Sequence, residues 1–227
     1  MTDFSDVEIE PLNPSNIPEL VELFTKAFSG YPLIPNIEVE PKQERRILKA
    51  ILDFFMSTKN SLSYGIRIEG KLVCASVSTI YPARPPIPAL IRFILSMMPL
   101  SFSLVRAYGR AAFRENAWNL RRAFWGERRK YREPHLMLVL LGTSPEYQKM
   151  GFGRKMLRFL HGVAEGRKCV GVILTTNRAS PAFNLYLKEG FRVEDEFPIG
   201  DTTICWMRLP LKSRDHRKCA QDGGEAS

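Results

Sequence analysis

One stretch of this sequence has residue types and spacing suited to holding a phosphorylated ligand: Gln148-Lys149-Met150-Gly151-Phe152-Gly153-Arg154. It follows an apolar run and opens a helical pattern. Two glycines let the backbone turn tightly and bring its N–H groups close to a ligand. The first N–H groups of a helix lack intrahelical partners, and the helix dipole adds partial positive charge. A pyrophosphate suits such a place, and Lys149 and Arg154 add full charges beside it. Two familiar phosphate loops are excluded. A dinucleotide-binding turn needs a third glycine and an acidic residue at the end of the next strand, where this chain has Leu174-Thr175-Thr176. A nucleoside-triphosphate loop needs Gly-Lys-Ser or Gly-Lys-Thr, also missing. By itself the two-glycine run serves equally well as a tight helix entry with no ligand.

The surrounding pattern supplies elements to position this turn. Leu136 to Leu141 is continuously apolar, as in a central strand covered on both faces. A helix is predicted from Gly153 to Gly166, then a second buried strand from Val170 to Thr175. Ser180 caps a helix running to Glu189, with Pro181 at its first position and Gly190 stopping it. Strands over Phe191–Glu196 and Thr202–Leu209 follow. Upstream, Val7–Pro11 reads as a strand. Pro14–Ser29 reads as a helix capped by Ser15 or Asn16, with Leu20, Leu23, Phe24, Ala27 and Phe28 on one side. Lys42–Ser57 is a second helix, and 61–68 with 71–80 form a hairpin around Glu69-Gly70.

Taken whole, the run from His135 to Leu157 resembles the cofactor motif of the GCN5-related N-acetyltransferase (GNAT) superfamily, whose core is Q/R-x-x-G-x-G/A. Asn184-Leu-Tyr-Leu-Lys-Glu-Gly-Phe191 is similar to that superfamily's second signature, a helix ending in Y-x-x-x-G-F. Order and spacing both match. Within the superfamily the Leu-Gly-Thr-Ser-Pro-Glu run and the strand start at His135 look most like the puromycin N-acetyltransferase-type branch. The close resemblance covers roughly 135 to 209.

The resemblance implies an α/β (α+β) fold, with a central mixed, mostly antiparallel twisted sheet of six to seven strands flanked by helices. A helical insertion at 82–134 would precede the central strand and cover the substrate. The expected organisation is one domain over 1–211 and a disordered basic tail over 212–227. The implied donor is acetyl-CoA, with no metal, and the acceptor is a primary amine of a small molecule or a protein. The pantetheine arm would pair with Leu141, Gly142 and Thr143, Gly142 having no side chain to block it. The amides from Lys149 through Met150, Gly151, Phe152 and Gly153 to Arg154 would hold the pyrophosphate, with Gln148 at the motif's first position. Asn177 could contact the cofactor or simply form a turn. Tyr186 stands at the general-acid position, and a core aromatic is the other reading of it. Many relatives carry a glutamate on the strand after the cofactor helix. Here Thr175 and Thr176 stand there, and could hold a water to pass the proton. His135 is a second candidate base because its reference pKa is near neutral. The acceptor pocket is expected from Phe28 to Tyr31 and from 82–134.

Composition sets outer limits. The hydrophobic fraction of 44% is that of a globular protein. No charge-free run is long enough to span a bilayer, so no membrane insertion is expected. The acidic N-terminus is unlike a secretory signal, which makes the cytoplasm the expected compartment. Cys74, Cys169, Cys205 and Cys219 are widely spaced and read as free thiols. The net charge of +9 gathers in Arg84–Arg132 and the tail. A basic face of this kind suits a nucleic acid, an anionic lipid or a phosphorylated ligand. Arginines interleaved with Tyr108, Phe113, Trp118, Phe124 and Trp125 suit stacking on single strands, and suit equally a helix covering the acyl-transfer cleft. Leu90–Val105 could lie on a membrane surface, though its apolar residues face no clean basic stripe. An acetyl-CoA-binding regulator with little turnover is the alternative to an enzyme. A homodimer is left open.

Overall fold

The computed structural model describes residues 7–29, 40–81, 133–199 and 202–211, together with 87, 88, 91 and 95. Most of the 82–134 insertion, the tail from 212 and Tyr31 lie outside the described residues. The elements are β1 (Ile9–Pro11), α1 (Ile17–Ala27), α2 (Pro41–Met56), β2 (Ser61–Ile68), β3 (Lys71–Tyr81), β4 (His135–Thr143), α3 (Phe152–Gly166), β5 (Gly171–Asn177), α4 (Pro181–Lys188), β6 (Arg192–Ile199) and β7 (Thr202–Pro210). They build one seven-stranded sheet in the order β1-β2-β3-β4-β5-β7-β6. Only β4 and β5 run parallel, because α3 carries the chain back between them. Every other neighbouring pair is antiparallel. The expected mixed sheet is thus observed, with the apolar 136–141 run in its central strand.

The apolar periodicity of each helix decides which face of the sheet it covers. Leu20, Leu23 and Phe24 of α1 and Leu48, Leu52 and Met56 of α2 pack on Leu72, Ala75 and Val77 of β3. Phe152, Met156, Leu157 and Leu160 of α3 and Phe183 and Tyr186 of α4 pack on Leu136, Leu138, Val172, Leu174 and Met207. The Glu69-Gly70 hairpin turn holds both residues at positive φ, 50° and 78°. That is the geometry which matches the twist of paired strands. Gly190, at φ 91°, ends α4 as its glycine predicts. Cys74, Cys169 and Cys205 are buried free thiols.

The first helix starts differently from the sequence reading. Pro14–Asn16 forms a 3-10 turn capped by the Asn13 side chain, and Asn16, one of the two expected caps, is the N-cap residue of α1 without a side-chain cap bond. The Asn13 Oδ1 accepts from the Ser15 amide at 2.9 Å, while Asn16 Oδ1 accepts from the Asn13 amide at 3.0 Å. This reciprocal pair places the side-chain cap two residues before Ser15, on the 3-10 turn, while α1 itself starts at Ile17.

Arg67 of β2 fixes α1 to the sheet edge. Its two terminal nitrogens each donate to Glu19 of α1 at 2.6 Å, and its Nε donates to Glu10 of β1 at 2.5 Å. The hydrogen bond from Arg67 holds the Glu19 carboxyl below its usual range. A depressed carboxylate pKa stabilises the fold above the ordinary value of about 4.3, and that contribution is lost as pH falls through the folded value. Arg67→Met is therefore expected to cost about 1 kcal/mol at neutral pH, a figure kept small because the group is partly exposed. Urea titrations of both proteins at pH 7 and pH 3 check this. The difference between them should shrink at the acid end.

Candidate active site

The site begins where the sheet fails. β4 and β5 pair at Leu136–Val172, Met137–Ile173 and Leu138–Leu174, and pair no further. Both strands continue, β4 to Thr143 and β5 to Asn177, without bonding to each other. The cause sits on the other edge of β4. Val77 of β3 opposes Leu140, but Ser78 opposes Leu138, so Val139 is an extra residue in β4. A bulge bends a strand and strengthens its local twist. It also reverses the inward–outward alternation. Leu136 and Leu138 therefore face α3 and α4, while Leu140 and Gly142 face α1. The result is a wedge between β4 and β5 whose β4 wall carries Leu141, Gly142 and Thr143.

Gly142 has a different purpose from the one first expected. A Cβ there would lie 2.8 and 3.0 Å from the Phe24 ring and 3.1 Å from Ala27 Cβ. Its missing side chain makes room for α1, not for a ligand. Gly142→Ala should push α1 outward and cost about 1–3 kcal/mol. Adding Phe24→Leu should recover part of the loss, which a double-mutant denaturation cycle would measure. Thr143 is fixed by its hydroxyl, which donates to the buried Cys74 Sγ at 3.3 Å. Burial raises the Cys74 thiol to about 11, so it stays protonated and unreactive.

From Thr143 the chain passes through a 3-10 turn (Pro145–Tyr147) into α3. Gln148 braces this turn by donating its side-chain amide to the Thr143 carbonyl at 3.2 Å. Lys149 and Gly151 both take positive φ, 64° and 90°. Gly151 is the residue before α3, and no side chain caps that helix. In contrast, the Ser180 hydroxyl caps α4 by accepting from the Ala182 amide. The Lys155 amide bonds back to the Gly151 carbonyl at 2.9 Å. The amides before it, through Gly153 and Arg154, are those a helix leaves without intrahelical partners. An anion is the natural complement of such an end. Lys149 and Met150 are exposed beside it, and Phe152 is buried beneath. Arg154 is already engaged: it shares Glu189 with Arg158, at 2.9 and 3.1 Å. An anion at this end would therefore meet backbone amides and Lys149 more than the Arg154 guanidinium.

α4 packs beside the same turn. A Cβ on Gly153 would sit 3.5 Å from Leu185 Cδ2, so α4 lies directly against the start of α3. The next residue, Tyr186, is buried, and its ring packs 5.6 Å from that of Phe191. Burial drives its phenol pKa well up. Tyr186 is thus a neutral hydrogen-bond donor at any ordinary pH.

The remaining candidates are separated from this cluster or already occupied. His135 starts β4, about 23 Å from Gly142 along an extended strand. It is buried, its Nδ1 lies 2.8 Å from the Glu133 carbonyl oxygen, and burial lowers its pKa. Asn177 uses its side chain in the turn into α4, accepting from the Ala179 amide at 2.8 Å. Thr175 and Thr176 are half-buried on the part of β5 that has left β4. No group of three or more His, Cys, Asp or Glu among the described residues is placed to hold a metal ion. Sequence reasoning missed the Val139 bulge and the Glu189 clamp. A bulge inside an all-apolar run leaves no trace in composition, whereas an i,i+4 arginine pair such as 154 and 158 does ask for a shared acid.

The model of the acetyltransferase (GNAT) family matches residues 107–191, which hold β4, the glycine turn, α3, β5 and α4. No curated protein matches by sequence. Among solved structures, the Drosophila melanogaster polyamine N-acetyltransferase superposes with a TM-score of 0.59 at 13% identity, over 91% of this chain and 100% of that one. A putative acetyltransferase of the GNAT family from Desulfovibrio desulfuricans gives 0.56 at 11% identity, over 90% and 98%. The PaiA N-acetyltransferase from Thermoplasma acidophilum, in complex with coenzyme A, gives 0.52 at 17% identity, over 91% and 99%. At these identities the structures establish the fold. The family model and the shared fold agree over the part of the chain that holds the glycine turn.

Proposed function

We propose that this chain transfers an acetyl group from acetyl-CoA to a primary amine. The observation that carries the reading is the opened β4–β5 wedge leading straight into an uncapped, glycine-led helix end. An extended amide-bearing arm suits the first, and a pyrophosphate suits the second. In this reading the backbone of Leu141, Gly142 and Thr143 pairs with the pantetheine arm. The amides from Lys149 to Arg154 hold the pyrophosphate.

The reaction forms a bond between the amine nitrogen and the thioester carbonyl carbon, and breaks the carbon–sulfur bond. The departing sulfur takes a proton from the Tyr186 hydroxyl, and the phenolate regains one from water before the next turnover. The proton lost by the amine leaves through water held at Thr175 or Thr176, since the end of β5 offers hydroxyls and no carboxylate. His135 has no part, because it lies at the other end of β4. The likeness of the Leu141–Glu146 run to the puromycin-type branch favours a small-molecule acceptor.

The test is release of the coenzyme A thiol from acetyl-CoA across a panel of primary amines, with the acetylated amine identified by mass spectrometry. Turnover on at least one amine is expected. Tight acetyl-CoA binding with no amine acetylated would make the chain a binding module instead.

A further inference from the structure

Thr175 and Thr176 are adjacent in sequence, but the sheet puts them on opposite sides. Successive residues of a strand face opposite ways, and residues directly opposed across an antiparallel pair share a side. Thr176 opposes Cys205 of β7, and Cys205 belongs to the core that also holds Tyr186. Thr176 therefore lies on the α3–α4 side. Thr175 opposes Trp206, which packs with Met137 and Ile173. Met137 in turn opposes Thr79 of β3, whose hydroxyl lies 3.4 Å from that of Thr58, just past α2. Thr175 therefore lies on the α1–α2 side.

The two residues also differ in their place along the wedge. Leu138–Leu174 is the last pair between β4 and β5, so Thr175 is the first residue of β5 past the point where the strands part. It stands, half-buried, at the narrow end of the wedge. The glycine turn stands at the open end, beyond Thr143. A donor whose pyrophosphate rests on that turn runs its arm from Thr143 back toward Val139, about 13 Å along an extended strand. Its thioester then comes to the narrow end, beside Thr175. The side chains clustered on that side, Met137, Val139, Ile173 and Trp206, offer no base. Asn177, next on the same side, has its side-chain oxygen engaged by the Ala179 amide.

The geometry points to Thr175, rather than Thr176, as the residue that positions the proton-accepting water. Thr175 has this role only if the chain transfers acetyl groups as proposed above. In that reaction Tyr186 serves the sulfur from the α3–α4 side, so the amine meets the carbonyl carbon from the α1–α2 side. As the carbon–nitrogen bond forms, an N–H bond of the amine breaks and its proton passes to the water. That water donates a hydrogen bond to the Thr175 hydroxyl oxygen, which turns a lone pair toward the nitrogen. The excess proton goes on to bulk solvent.

The experiment compares Thr175→Val, Thr176→Val and Thr175→Ser with the wild type, on the primary amine that the wild type acetylates fastest. Valine keeps the branched shape suited to a strand and removes only the hydroxyl. Thermal melts check folding, and calorimetry with acetyl-CoA checks donor binding. Thr175→Val should lower kcat on the order of tenfold or more with acetyl-CoA affinity nearly unchanged. Thr176→Val should lose clearly less, about threefold at most. Thr175→Ser returns the hydroxyl without the methyl group and should recover most of the rate, a rescue that a packing defect would not show. A Thr175→Val rate within about twofold of wild type overturns the assignment and leaves acyl transfer standing. An equal loss in Thr176→Val, or a loss that serine does not recover, does the same. A wild type that binds acetyl-CoA and acetylates no amine overturns both.

Discussion

Replacing Tyr186 by phenylalanine should lower kcat about a hundredfold while leaving acetyl-CoA affinity nearly unchanged. The substitution removes only a hydroxyl. The ring keeps its contact with Phe191 and its place in the α3–α4 core, so the fold should persist. Burial raises the phenol pKa, and the sign of that shift decides the chemistry. A group held protonated can give a proton to a departing sulfur, but cannot act as the base. The alkaline side of the rate profile should therefore show no tyrosine ionisation below about pH 10, the ordinary phenol value. The acidic side should follow deprotonation of the amine itself. A kcat within a few-fold of wild type would leave Tyr186 as a core aromatic and nothing more.

The second large effect separates the two glycines of the turn. Gly151 sits at φ 90°, and a Cβ there would meet nothing within 4 Å. It is glycine for its backbone, not for space. Gly153 takes a helical conformation, and its Cβ would make ordinary contact with Leu185 and Thr143. Gly151→Ala should cost about 1–2 kcal/mol from left-handed strain, or relax the turn and misdirect its amides. Either way acetyl-CoA affinity should fall at least about tenfold, a loss of roughly 1.4 kcal/mol. Gly153→Ala should fold as well as wild type or better, since alanine favours a helix by about 0.5–1 kcal/mol over glycine. Thermal melts with and without acetyl-CoA distinguish the pair. Equal behaviour of the two variants would mean that the positive φ at Gly151 does not govern the ligand site.

Much of the site was legible because its signals are local. The glycine pair, the apolar run of β4, Ser180 with Pro181, and Gly190 each fix the backbone within a few residues. The hairpin at Glu69-Gly70 is of the same kind. What escaped is set by contacts distant in sequence. Val139 is as apolar as its neighbours, and only the register against β3 makes it a bulge. Gly142 looked like an opening for a ligand, and it is Phe24, over a hundred residues earlier, that requires it. Arg154 looked like a free cation, but Glu189, just past the end of α4, pairs with it. Asn13 was passed over because the capping signal was sought in the residues just before the apolar periodicity. The 3-10 turn moves that signal upstream. The base has no carboxylate to announce it, and a hydroxyl-bound water leaves no distinct mark in a sequence.

The most direct test of the account is a calorimetric titration of the full chain with acetyl-CoA, beside a Met150→Glu variant. Met150 is half exposed in the middle of the turn, so a carboxylate there should leave folding intact and repel a pyrophosphate. The account predicts dissociation on the order of micromolar for the wild type, weakened at least about tenfold in the variant. Absence of acetyl-CoA binding, or equal binding by both proteins, would contradict placement of the donor on the glycine turn.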